Sequence, residues 1–323
     1  MNLNPQNLST FLWGCSSAVF HKTALKGRCA LLLVFLFGIT CHALPGSPQV
    51  LKVAIAQPLV EPGDVRGNID RMAPLVAEAS KQEAQLVVFS ECGITGYDLK
   101  GVGAKAAIPL SDPALDRVAK MAKKHDIVVL AGFHEMLGKD PYNSAQIFYP
   151  CGRRVLPRKH LVLDLEKSIA PVQCAPVDRE LFEIDGFRLA LLICSDAGIP
   201  NIFDKLAADG CDGVIVNTAG GGDAKSGVHQ AALSDPKLRK KTAFRATTCL
   251  APSIVEQCIR LNCAQIACNQ SGWNPETGYF QIGGSSIIDR TGEVTAVIPA
   301  RVVFEYLRPV VEVGFITKRK ATE

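Results

Sequence analysis

From Leu51 onward, hydrophobic and polar positions alternate between two rhythms. "LKVAIAQ" (51–57), "LVVFS" (86–90), "IVVLAGF" (127–133), "FRLALLI" (187–193) and "DGVIVNT" (212–218) are short apolar runs rich in β-branched residues, and they predict buried strands. Between them, apolar residues recur at helical spacing. "GNIDRMAPLVAEASKQEA" (67–84) predicts a helix with Asn68 as its cap, and "DPALDRVAKMAKKHD" (112–126) predicts one with Pro113 near its start. "IPNIFDKLAADG" (199–210) predicts a third, ended by Gly210. A longer helical pattern over 235–262 is expected to bend at Pro252. "NSAQIFYP", "CGR" and "RVLPRK" (143–159) form a hairpin around a glycine turn, and "CAQIACN", "GGSSIID" and "EVTAVIP" (263–299) add strands, the last two joined by the tight turn "RTG". Strand–helix–strand units mixed with hairpins imply an α/β layered domain with mixed sheets, and no Pro-, Gly- or Ser-rich linker divides it.

Residues 1–50 carry a different pattern. Lys22, Lys26 and Arg28 precede "ALLLVFLFGIT", an apolar run of signal-peptide length that is short for a bilayer span. Small residues at Cys41 and Ala43 and the following Leu-Pro-Gly predict cleavage near Ala43. The expected organisation is therefore an export signal over 1–43 and one domain over 44–323, placing the mature chain in the periplasm or outside the cell. A retained membrane anchor is the alternative, because the stretch before the apolar run is long; a lipoprotein start at Cys41 lacks the usual leucine.

Composition narrows the function classes. The chain has 323 residues, 48% of them hydrophobic, enough for a full core. A net charge of +4 with interspersed signs and no basic run among aromatics gives nucleic-acid binding no support. Nine of the twelve cysteines lie beyond the predicted cut, an odd number that leaves at least one thiol unpaired in an exported chain. Most stand inside apolar stretches, as small buried hydrophobes do. Cys258, Cys263 and Cys268 fit neither a Cys-x-x-Cys nor a Cys/His zinc pattern, so no metal is expected. "TAGGGDAKSG" (218–227) lacks the phosphate-loop glycine, since Ala224 stands there, and reads better as a loop over a pocket mouth.

Reactive groups in such sheets sit where strands end. Glu91 follows "LVVFS", Lys159 follows "RVLPR" and Cys194 follows "LALLI". A thiol attacks as thiolate, a carboxylate can take its proton, and an ammonium can stabilise the oxyanion formed on a carbonyl or nitrile carbon. The backbone N–H of Ser195 is a candidate second oxyanion donor. Taken singly, each has a plainer reading: Glu91 as a capping carboxylate, Lys159 as a solvated hairpin charge, Cys194 as core filler. His134 and His160 stand near these positions, but no Asn or Asp context supports a Cys–His protease pairing, and a buried or pocket-lining imidazole is the better reading.

Four stretches, in order, separate these readings: "FSECGITGYD", "YNSAQIFYPCGRRVLPRKHL", "LLICSDAGIP" and "NQSGW…IGGSSIID". Together they resemble the carbon–nitrogen hydrolase (nitrilase/amidase) superfamily across residues 51–315, with Gly132, Glu135, Tyr142 and Asn143 also matching. The resemblance implies a four-layer α-β-β-α sandwich that pairs into dimers or larger homo-oligomers. It implies catalytic roles for Glu91, Lys159 and Cys194, with Glu166 as a second glutamate orienting the lysine and substrate, and no cofactor. Departures are Ser90 before Glu91 in place of proline, Ser195 in place of an aromatic residue, and Asn201 in place of Glu. Lys159 also runs directly into His160-Leu161, so Arg158 competes for the lysine's place; spacing to Glu166 favours Lys159. "ECGITGYD" leans towards hydrolysis of small carboxamides, with nitriles and N-carbamoyl compounds as alternatives. A non-catalytic binding protein on the same scaffold is the reading of a different class, opposed by the presence of all three residues.

Overall fold

The polar positions singled out above lie beyond the ends of strands in two mixed sheets. In the computed structural model, which describes residues 49–167, 181–223, 249–250, 252–274, 279–299 and 309–319, one sheet is built from β1 (Val50–Gln57), β2 (Leu86–Val88), β3 (Val128–Leu137), β4 (Asp140–Phe148), β5 (Arg154–Val155) and β15 (Val310–Thr317). Its order is β15-β1-β2-β3-β4-β5, with β1, β2 and β3 parallel and the other pairings antiparallel. The second sheet contains β6 (Phe182–Ile184), β7 (Phe187–Ile193), β8 (Gly213–Thr218), β10 (Ala264–Asn269), β13 (Ser285–Ile288) and β14 (Val294–Ile298). Its order is β14-β13-β10-β8-β7-β6, with β7, β8 and β10 parallel. A small antiparallel sheet joins β9 (Gly221–Asp223), β12 (Tyr279–Ile282) and β11 (Ser271–Asn274).

The continuous apolar runs follow from burial on both faces. On β1, Val53 and Ile55 enter the core between the two sheets, where they join Leu189 and Leu191 of β7 and Ile215 of β8. The intervening Ala54 and Ala56 face outward, under α1 (Val65–Lys81) and α3 (Pro113–His125), with Met72, Val76, Leu115 and Val118 packed on that side. The same alternation on β7 and β8 turns Ala190, Leu192, Val214 and Val216 towards α4 (Ile202–Ala208) and α5 (Pro252–Arg260), which contribute Phe203, Leu206, Val255 and Cys258. Each fully buried aliphatic side chain contributes about 1.5–3 kcal/mol. The result is the expected α-β-β-α sandwich of mixed sheets. A short helix, α2 (Val102–Lys105), follows the turns after β2.

Two local expectations differ from the structure. The first helix is capped by Asp64, which accepts from the Gly67 N–H at 2.9 Å. Asn68 lies inside that helix and is fully buried, its amide donating to the carbonyls of Glu61 and Ile94. Pro252 begins α5 rather than bending it; a proline ring suits the first turn, where its missing N–H has no partner to lose. The expected helix over 235–248 and the predicted export signal lie outside the described residues. Strands β6, β9, β11, β12 and β15 add to those expected from sequence, β9 falling within the stretch read as a loop.

Candidate active site

Cys194 follows directly from β7 and opens a 3₁₀ turn, Cys194–Gly198, with φ +50°. A non-glycine residue in the left-handed region costs on the order of 1 kcal/mol or more and needs its surroundings to hold it there. Asp196, fully buried, supplies the hold. One carboxylate oxygen accepts from the Ile193 N–H at 3.2 Å, and the other from the N–H groups of His160 and Leu161, each at 2.8 Å. The same side chain therefore fixes the cysteine turn and the loop that carries Lys159. Ser195 adds a second tie, its hydroxyl donating to the Leu161 carbonyl. Its N–H lies in the first turn of the 3₁₀ segment, where backbone donors have no acceptor within the helix.

Lys159 lies between two carboxylates. Its Nζ is 2.8 Å from Glu91 Oε1 and 2.6 Å from Glu166 Oε1, and all three residues are at most 2% exposed. Buried ions are costly unless every remaining lone pair is met, and here each carboxylate oxygen has a donor. Glu91 Oε1 also accepts from Asn143 Nδ2 at 2.7 Å, and Oε2 from the Ala219 N–H at 2.8 Å. Glu166 Oε1 accepts from the Tyr97 hydroxyl at 3.1 Å, and Oε2 from the Leu163 N–H at 2.9 Å. The Ala219 contact joins the end of β8 to the turn after β2, so the two sheets meet at this carboxylate.

The electrostatics separate the roles these groups can take. Burial pushes the Cys194 thiol up to about 12; the Glu91 charge adds to this, while the Lys159 charge and a hydrogen bond with Thr218 oppose it. The resting thiol is protonated at neutral pH and needs a base as it attacks. Burial disfavours the Lys159 ammonium, but the charges of Glu91, Cys194 and Glu166 outweigh it and hold its pKa well above the usual lysine value. Lys159 therefore stays cationic, suited to holding an anion and unsuited to taking a proton. Cys194 is only partly buried as a residue, whereas Glu91, Lys159 and Glu166 are buried.

Arg158, the alternative to Lys159, points elsewhere: it makes a two-pronged pair with Glu135 at 2.6 and 2.7 Å, and Ser144 donates to the same carboxylate at 2.7 Å. His134 is buried against Cys92 and Thr95, and the side-chain partner of Cys194 is Thr218. Among the described residues no group of three or more His, Cys, Asp or Glu side chains is placed to hold a metal ion. Cys258, Cys263 and Cys268 are buried, and Cys268 donates to the Val88 carbonyl at 3.2 Å. All eight described cysteines are free thiols. Within 218–227, Gly221–Asp223 pairs with β12, and 224–227 lie outside the described residues.

Sequence reasoning placed Glu91, Lys159, Cys194, Glu166 and Ser195, and the first four come together with Lys159 at the centre. It missed the contacts of Asn143, Tyr97, Asp196, Thr218 and Ala219. Asn143, Tyr97 and Asp196 stand inside the quoted stretches and were within reach. Ala219 acts through its backbone N–H, which residue identity does not signal.

The carbon–nitrogen hydrolase family profile matches residues 52–301. A hydrolase in the pqqF 5′ region of Pseudomonas protegens is 32% identical over 53% of this chain and 60% of its own length. An (R)-stereoselective amidase from Pseudomonas sp. is 29% identical over 57% and 65%, and an arylacetonitrilase from Aspergillus oryzae 29% identical over 38% and 41%. The chain thus spans less than two thirds of the length of these curated relatives. An amidase from Nesterenkonia sp. AN1 superimposes with TM-score 0.64 at 20% identity, covering 82% of this chain and 92% of that one, a likeness of fold.

Proposed function

The chain belongs to the carbon–nitrogen hydrolase family, and from that premise we propose that it hydrolyses a small carboxamide to the acid and ammonia or an amine, with Cys194 as nucleophile. The observation that carries this reading is the partly buried Cys194 beside the buried Glu91–Lys159–Glu166 set, with burial raising its thiol pKa. As sulfur bonds to the carbonyl carbon, Glu91 takes the thiol proton, and the carbonyl π pair moves onto oxygen. The Lys159 ammonium and the Ser195 N–H hold that oxyanion. On collapse the C–N bond breaks, and the proton on Glu91 passes to the leaving nitrogen. Water then gives a proton to Glu91 and attacks the thioester; the C–S bond breaks, releasing the acid, and the proton returns to sulfur. Glu166 accepts from Lys159 and Tyr97 and so fixes the direction of the ammonium.

The thiol, base and cation serve nitriles equally well, so the choice of amide rests on other support. The amidase relative aligns over more of this chain than the arylacetonitrilase does, and "ECGITGYD" resembles the amidase branch. Ser195 in place of an aromatic neighbour leaves room for a tetrahedral adduct bearing –NH2. Matched pairs of a carboxamide and its nitrile, with N-carbamoyl compounds alongside, assayed for ammonia release, test the reading. The amide is expected to react at least about tenfold faster. Nitriles reacting faster across several pairs would establish the second reading, and an inert protein would support a binding role.

The N-terminal pattern supports a mature chain that begins near Leu44 outside the cytoplasm. Sequencing the N-terminus of protein from its native host tests this, and an intact Met1 on a soluble cytoplasmic protein would refute it.

A further inference from the structure

Four buried polar groups beside Glu91 have no part in that scheme. Cys92 and Thr95 are fully buried, His134 is 1% exposed and Asn143 3%. The Cys92 sulfur lies 3.5 Å from Asn143 Oδ1 and 3.6 Å from His134 Nε2. His134 Nδ1 is 2.9 Å from Thr95 Oγ1, and that hydroxyl oxygen accepts the His134 backbone N–H at 3.0 Å. Cys92 itself has φ +49°, a left-handed residue held at the turn after β2.

The donor and acceptor inventory fixes every proton in this set. An ionised carboxylate only accepts, so Asn143 must turn its NH2 group to Glu91. Its Oδ1 then faces the Cys92 sulfur, and because a carbonyl oxygen only accepts, the thiol is the donor. With its one proton committed, the sulfur must accept from His134, which places the imidazole proton on Nε2. Nδ1 is then the unprotonated nitrogen and accepts from the Thr95 hydroxyl. A neutral His134 agrees: burial lowers its pKa to about 4. Burial also raises the Cys92 thiol far above its usual value, which keeps the proton on sulfur.

We infer that Cys92 and His134 are positioning residues for the reaction, links in a one-way hydrogen-bond chain from Thr95 through His134, Cys92 and Asn143 that ends on Glu91. The inference rests on Glu91 being the acid–base group of the proposed function. Rotation of the Asn143 amide would present its oxygen to the Glu91 carboxylate, and the chain forbids that rotation because only a donor on Cys92 meets Oδ1. Asn143 also accepts the Lys159 backbone N–H through its main-chain carbonyl at 2.8 Å, so a displaced Asn143 disturbs both partners of the ion pair. None of the four side chains contacts Cys194 among the described hydrogen bonds, so substrate binding should be spared.

The test compares wild type, Cys92→Ala and Cys92→Ser, each checked for folding by thermal melting. Cys92→Ala is expected to lower kcat about tenfold or more with KM little changed, short of the roughly 100-fold that a 1 Å misplacement at the reacting centre can cost. Cys92→Ser keeps one proton to donate and lone pairs to accept, and should recover most of that loss. A folded Cys92→Ala enzyme with kcat within about twofold of wild type overturns the inference. So does a Cys92→Ser enzyme that falls as far as Cys92→Ala, because packing would then explain the loss. Neutron diffraction of the unaltered protein tests the chain without a variant. It should find the imidazole proton on Nε2 and the S–H directed at Asn143 Oδ1, and a proton on Nδ1 overturns the inference. A wild-type protein inert towards amides, N-carbamoyl compounds and nitriles would defeat the proposed reaction, while the proton positions would still decide the chain.

Discussion

A thiol that keeps its proton at rest ties its reactivity to the base beside it. Glu91→Gln preserves the shape and most hydrogen bonds of the side chain but removes the proton acceptor, so kcat/KM should fall by roughly 10²–10⁴-fold. Lys159→Ala should lose a comparable factor, and it should also lower the melting temperature, because Glu91 and Glu166 are left facing each other without their shared cation. In Cys194→Ala no thioester can form and turnover should vanish. Groups that act as one unit are not additive. The double variant Glu91→Gln/Lys159→Ala, assayed beside the singles, should therefore lose far less than the product of their two factors. Multiplicative losses would show that the two residues act independently.

At the scale of elements, β3 places Glu91 as much as the turn that carries it. A Cβ on Gly132 would stand 2.4 Å from the Cys92 nitrogen, 2.9 Å from the Ser90 carbonyl oxygen and 3.0 Å from the Glu91 carbonyl carbon. All three are backbone atoms, which a rotamer change cannot clear. Gly132→Ala should then push the Glu91 turn off β3 and cost about 100-fold in kcat/KM, with a lower melting temperature. By contrast, Asp112→Ala removes only the cap that accepts from the Ala114 N–H at 2.8 Å, and should cost about 1 kcal/mol in urea unfolding with activity unchanged. These two cases mark what sequence could tell. The cap and the proline of α3 announce themselves locally, and double-sided burial makes β1, β2, β7 and β8 continuous apolar runs. Strand β15 mixes exposed, partly buried and buried positions at a sheet edge and sends a weaker signal. Glu91, Lys159 and Cys194 were legible because their neighbouring words are distinctive. The closeness of Gly132 to the Glu91 backbone and the Ala219 N–H on its carboxylate arise only once β2, β3 and β8 are assembled.

The whole molecule carries the cost of keeping one imidazole neutral. Burial lowers the His134 pKa from 6.5 to about 4; the Lys159 charge acts in the same direction, and the Asp98 charge opposes both. Above pH 6.5 the residue is neutral in the folded and unfolded chain alike, and it contributes no pH dependence. Between 6.5 and about 4 the unfolded chain takes up a proton that the folded chain refuses, so stability falls as pH falls. Below about 4 both states are protonated, and the accumulated loss levels off at about 3 kcal/mol. Against a total stability of about 5–15 kcal/mol, that is a large share. Asp64, whose pKa is lowered chiefly by its hydrogen bond from the Gly67 N–H, loses its contribution only below its unfolded value of 3.8, outside this window. Urea midpoints measured at several pH values between 7.5 and 4.5 should therefore decline steadily in wild type. In His134→Gln, which has no proton to gain, the decline should be shallower by the His134 contribution. Parallel pH profiles for the two proteins would mean that this buried imidazole carries no such cost, and that His134 takes up its proton without opposing the fold.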